Sequence, residues 1–168
     1  MNKLILPPED LSNEAISKRL TTNALNNVNN GLINKKNLVY LELNGCSGNI
    51  ISLLNGQNPD FEYAFTSMVN ILYSNSLMVS EGEKAIAKLM NALEGDYILA
   101  VEGAVALKNN GLYNIIGSWK GKPLTGLEAI KLLGEKASHI LAVGACATHG
   151  GVSAAKPNPS ESVGINKV

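Results

Sequence analysis

The sequence predicts an α/β protein, a doubly wound parallel sheet of about four strands. Three observations predict it. Short runs that are almost continuously apolar recur along the chain, as in NLVYLEL and DYILAV. Amphipathic stretches of helical period separate the later runs. Strands apolar on both faces belong in a sheet covered on both sides, and helices between them make the strands parallel. The chain of 168 residues is long enough for one such domain with a real core.

The elements follow in order. Nine of the first 37 residues are asparagine, which competes for backbone hydrogen bonds and disfavours regular structure. Residues 1–36 therefore read as an arm, flexible or partly helical, with a short helix over Asn13–Leu20 at most and a flexible linker after it. Residues 37–168 read as the domain. NLVYLEL is the first buried strand. SGNIISLLNG gives one or two helical turns closed by Gly56. DFEYAFT (60–66) alternates Phe61, Tyr63 and Phe65 and reads as the second strand. SEGEKAIAKLMNALEG has Ser80 and Glu83 at capping-box spacing, apolar residues Ile86, Leu89, Met90 and Leu93, and Gly95 at its end. DYILAVEG (96–103) is the third strand. LTGLEAIKLLGEKA is a helix capped by Thr125 with Glu128 at the third position. SHILAVGAC (138–146) is the fourth strand. Four strands in this rhythm suggest a flavodoxin-like domain of order 2-1-3-4.

Composition removes several partners. Formal net charge is zero, so neither nucleic acid nor an anionic membrane is expected. No apolar run approaches the roughly 18 residues of a membrane span. The start, MNKLILPPEDLSNEAISKRL, lacks a long apolar stretch, a cleavage site and paired arginines. The reading is a cytoplasmic protein, whose two cysteines are thiols or metal ligands rather than a disulfide.

In an open parallel sheet, ligands gather at the carboxyl ends of the strands. Here those ends read NGCSGN, VEGAV and VGACATHGG. Cys46 and Cys146 lie 100 residues apart, yet each falls at such an end. In order 2-1-3-4 the strand ends carrying them are about 10 Å apart, too far for a disulfide without backbone movement. Both sulfurs can reach one cluster-sized object, with Glu102 beneath it. Gly45, Gly48, Gly103 and Gly150 would let backbone approach it. Each residue also has a plainer explanation. Isolated cysteines are often small core hydrophobes. Glu102 can be a loop carboxylate or an acceptor of backbone amides. His149, three residues after Cys146, is either a further ligand or a polar surface group. No P-loop, dinucleotide fingerprint or nucleophile elbow is present.

Three stretches carry a family resemblance: LVYLELNGCSGN, then DYILAVEGAVALKNNGLYNIIG, then ILAVGACATHGGVSAAKPNPSESVGI. Over roughly residues 37 to 165 the chain resembles the small, electron-transferring subunit of nickel–iron hydrogenases. The resemblance implies a flavodoxin-like domain holding a proximal [4Fe–4S] cluster beside a large subunit that carries the nickel. It places Cys46 and Cys146 at the first and third of four cysteine ligands. Asn49 stands at the second, where the family has cysteine, and the fourth would lie beyond Gly164. Glu102 matches a carboxylate beside the cluster, suggested to relay protons. Two cysteines, an amide and an imidazole are a poor set for such a cube.

Two functions follow. One is electron transfer through an iron–sulfur cluster next to a hydrogenase large-subunit-like partner, with missing ligands supplied by water, His149, another chain or a second copy through self-association. The other is a cluster-less paralogue, an accessory, assembly or scaffold protein for a hydrogenase. At most the chain is the electron-transfer subunit of an oxidoreductase; no complete catalytic site is legible. The segment LKNNGLYNIIGSWKGKPL, with the sole tryptophan Trp119, is a candidate contact surface.

Overall fold

The computed structural model describes residues 12–32, 34–57 and 59–168; the first 11 residues of the expected arm fall outside them. In chain order the elements are α1 (Asn13–Asn29), β1 (Lys36–Glu42), α2 (Gly48–Leu54), α3 (Phe61–Tyr63), a π-type stretch Ala64–Met68, β2 (Val69–Ser74), α4 (Gly82–Ala92), β3 (Ile98–Glu102), α5 (Lys108–Gly111), β4 (Ile115–Trp119), β5 (Lys122–Thr125), α6 (Gly126–Gly134), β6 (His139–Val143) and α7 (Gly144–His149). Four strands form one parallel sheet in the order β2-β1-β3-β6, which is the expected 2-1-3-4.

The side-chain period of two divides the sheet. Val39, Leu41, Leu99 and Val101 face α4 and α6 and build the larger core with Ile86, Leu89, Ala129 and Leu133. Leu38, Tyr40 and Ala100 face the other way, onto Ile50 of α2 and Phe65. That second layer is thin. It leaves an apolar groove of ≈ 650 Å³ lined by residues such as Leu38, Tyr40, Phe65, Met68 and Leu141. Strand β6 is the edge, and its Ile140 and Leu141 are exposed.

Four expectations need correction. The second strand is not 60–66 but Val69–Ser74. Asp60 caps the preceding stretch by accepting from the Tyr63 N–H at 2.8 Å. Phe61 and Phe65 then stack with centroids 4.3 Å apart. Residues four apart share a helical face, so the aromatic alternation fits a helix as well as a strand. The capping box at Ser80 does not form, because α4 begins with Glu81 at its N-cap and no side-chain cap bond. Gly82 has φ +57, which no residue inside a helix started at Ser80 could keep. Thr125 and Glu128 do form theirs: Thr125 Oγ1 accepts from the Glu128 N–H at 3.2 Å, and Glu128 Oε2 accepts from the Thr125 N–H at 3.0 Å. The fourth strand ends at Val143 rather than running to 146, so Cys146 lies on α7. Helix α1 extends to Asn29, past the expected end near Leu20, after Ser12 caps it by accepting from the Ala15 N–H.

The segment LKNNGLYNIIGSWKGKPL, the candidate contact surface, holds a hairpin. Strands β4 and β5 pair antiparallel, Trp119 opposite Lys122, across the two residues Lys120 and Gly121. Both have positive φ, +52 and +75. That is the type I′ geometry that matches strand twist.

Candidate functional site

Strand parity makes the site. Leu38 pairs with Ile98 and Glu42 with Glu102, so Tyr40 and Glu102 point to the α2 side of the sheet, two residues out of register. Glu102 ends β3 at 2% exposure. A buried carboxylate must find donors. Its Oε2 accepts from the Tyr40 hydroxyl at 2.7 Å and the Ile50 N–H at 3.0 Å. Its Oε1 accepts from the Asn49 N–H at 3.0 Å and Asn49 Nδ2 at 3.3 Å. The neighbouring Glu42 has separate partners, the N–H and Oγ of Ser76 at 3.1 and 2.8 Å. Burial, then the bond to Glu102, then the charges of Glu102 and Glu42 hold the Tyr40 hydroxyl far above its usual pKa.

The two cysteines follow the strands on either side of β3, Cys46 after β1 and Cys146 after β6. Cys46 is exposed on the turn between β1 and α2, and Cys146 is half-buried on α7. Asn49 ties the two flanks. A Cβ on Gly144, the first residue of α7, would lie 2.3 Å from Asn49 Nδ2. The first turn of α2 thus touches the residue that opens the helix bearing Cys146. A Cβ on Gly48 would sit 3.1 Å from Cys46 Sγ, and one on Gly151 2.5 Å from Cys146 Sγ. Gly45 and Gly103 lie against each other, where Asn44 and Ala104 exchange backbone hydrogen bonds. At φ +94, Gly103 has a conformation and a space that only glycine fills; a Cβ there would be 2.7 Å from the Leu43 carbonyl carbon. Gly150 is tight against Ala154. The close approaches expected for these glycines are therefore met by this chain's own atoms.

His149 is exposed at the end of α7, with Nδ1 and Thr148 Oγ1 2.7 Å apart. His139 opens the exposed edge strand. Sequence reading missed Tyr40 and the asparagine link beside the rim. Asn114 Nδ2 donates to Asn44 Oδ1, and Asn114 Oδ1 is buried without a partner. Tyr40 had a signal, since a lone hydroxyl inside an apolar strand needs a buried acceptor.

Residues 46–168 match the family described as NADH ubiquinone oxidoreductase, 20 Kd subunit, which is more than half of the chain. The chain belongs to this family. Its relatives are hydrogenase small subunits. The uptake hydrogenase small subunit of Azotobacter vinelandii is 37% identical over 131 residues, covering 76% of this chain and 34% of that protein. That of Bradyrhizobium diazoefficiens is 39% identical over 131 residues, with the same coverage. The Hydrogenase-2 small chain of Escherichia coli K12 is 31% identical over 134 residues, covering 78% and 35%. The reduced, active Ni-Fe-Se hydrogenase of Desulfomicrobium baculatum superposes with a TM-score of 0.77 at 31% identity, over 80% of this chain and 50% of that one. The chain spans about a third of the length of the curated relatives it matches. The resemblance to hydrogenase small subunits, and the flavodoxin-like sheet it implied, hold.

The cluster that the resemblance implies is a different matter. A cube takes four thiolates. This chain has two cysteines, and among the described residues no three His, Cys, Asp or Glu side chains converge as a metal site would require. Asn49, where the resemblance leads one to expect a cysteine, spends its amide on Glu102. On the residues present a [4Fe–4S] cube does not fit.

Proposed function

We propose that this chain is the small-subunit module of a hydrogenase-type complex, working in electron transfer beside a large-subunit-like partner. One observation carries the reading: in a member of this family, Cys46 on the turn after β1 and Cys146 on α7 after β6 follow the two strands that flank β3, whose end carries buried Glu102. Electron transfer through a cluster requires further ligands from outside residues 1–168. The partner's seat is the apolar surface beside the rim, where Leu112, Tyr113 and Ile115 are exposed around the Asn114–Asn44 link.

A second reading, the cluster-less accessory, assembly or scaffold protein, is favoured by Asn49 alone. Its neutral amide replaces a thiolate and is engaged within the protein. Anaerobic reconstitution with ferrous iron and sulfide separates the two. Electron transfer predicts a brown protein absorbing broadly near 400 nm when the large-subunit-like partner is co-expressed, with the colour lost in Cys46→Ala. A colourless chain that still retains the partner supports the accessory reading. A colourless chain with no affinity for such a partner contradicts both.

A further inference from the structure

Helix α2 starts without a cap of its own. Its N-cap, Ser47, has left-handed backbone at φ +57 and makes no side-chain cap bond. The first N–H groups of a helix have no partner inside it and must be met from elsewhere. Here a residue of another strand meets them. Glu102 accepts from the second and third residues of the helix, Asn49 and Ile50, with one carboxylate oxygen each. The Asn49 side chain and the Tyr40 hydroxyl complete the set, so Glu102 has four donors and 2% exposure.

We infer that Glu102 is the positioning residue of the Cys46 turn: a cap supplied across the sheet that fixes where α2 begins and so where the thiol stands. All four of its hydrogen-bond contacts, from Tyr40, Asn49 and Ile50, are donations into the carboxylate, as a cap requires. The assignment concerns the chain's own turn. It rests on the proposed function only in making Cys46 the residue of interest, and it stands whether or not a cluster binds.

The test uses Glu102→Gln in the full chain. The amide keeps the size but can accept at only one atom, so its NH2 must face either the Asn49 or the Ile50 donors. The first readout is amide hydrogen exchange. Residues 48–51 should exchange at least tenfold faster, while β1 and β3 keep their protection. The second is site-resolved alkylation of the two thiols. The Cys46 rate and its pH profile should change more than threefold, with Cys146 as the internal control unchanged. If Glu102→Gln fails to fold, Tyr40→Phe removes one donor and leaves the other three. It should produce the same local pattern at smaller amplitude. Exchange at 48–51 and Cys46 alkylation both within twofold of wild type overturn the inference. So does uniform acceleration across β1, β3 and both thiols, which would make Glu102 a general core residue. Loss of iron binding bears on the proposed function and leaves this reading intact.

Discussion

Tyr40 and Glu102 lie on adjacent parallel strands, two residues out of register, and are joined by a 2.7 Å hydrogen bond inside the protein. That diagonal contact ties the first strand to the rim bearing the thiols. Tyr40→Phe removes it and leaves Oε2 with the Ile50 N–H alone. The expected loss is about 1–2 kcal/mol, as for a buried hydrogen bond to a charged acceptor. The thermal midpoint should fall by roughly 2–8 °C. A Tyr40→Phe variant as stable as wild type would show that the contact contributes nothing.

Alkaline pH should unfold the protein through its buried tyrosines. Burial pushes the Tyr97 hydroxyl, which donates to the Leu133 carbonyl, up to about 12, and raises Tyr73 as well. Tyr40 is raised further by Glu102. A raised folded-state pKa means that the folded protein holds the proton more tightly. The associated stability is complete below the ordinary tyrosine value of about 10 and is lost as pH climbs from there through the folded values. Thermal midpoints should be flat in this respect up to about pH 10 and fall steeply above it. Tyrosinate absorbance from Tyr40, Tyr73 and Tyr97 should rise with unfolding rather than before it. Ionisation of Tyr40, Tyr73 and Tyr97 without unfolding would contradict the burial.

The two candidate capping boxes give a paired test. Thr125 caps α6 and Ser80 caps nothing. Thr125→Ala should cost about 1 kcal/mol, and Ser80→Ala should stay within about 0.5 kcal/mol of wild type. Urea denaturation measures both. A larger loss at Ser80 than at Thr125 would reverse the assignment.

Gly151 makes room for Cys146. A methyl there would stand 2.5 Å from Sγ, on backbone at φ +49. Gly151→Ala should therefore both strain the turn and displace the thiol. The expected loss is about 1–3 kcal/mol, together with a changed alkylation rate at Cys146 and none at Cys46. An unchanged Cys146 rate would mean that the sulfur does not depend on this glycine.

The sheet was legible because its cause is local and redundant. Val39, Leu41, Leu99 and Val101 read as core in any register, and the helices between them force parallel strands. Phe61 and Phe65 misled because four residues separate them, a spacing that both a strand face and a helix face accept. Ser80 misled because the left-handed Gly82 is invisible in a propensity pattern. At the carboxyl end of the sheet, the place of Glu102 at the end of β3 was legible. Its hydrogen-bond partners were not. Which donors reach Glu102 depends on the β1–β3 register and on where α2 starts, and neither is written in the spacing of residues 40, 49 and 102. Cys146 was placed on a strand because Gly144, which turns the chain into α7, sits inside an otherwise apolar run.

Chemical cross-linking of the two thiols in the folded chain tests the account most directly. With β3 between them, the ends of β1 and β6 that the two cysteines follow are about 10 Å apart. A bis-maleimide of that span should join Cys46 to Cys146 within one chain, seen by mass spectrometry as a single looped peptide pair and abolished in urea. If the folded protein yields only singly anchored adducts at each cysteine, the thiols do not share a rim and the proposed site does not exist.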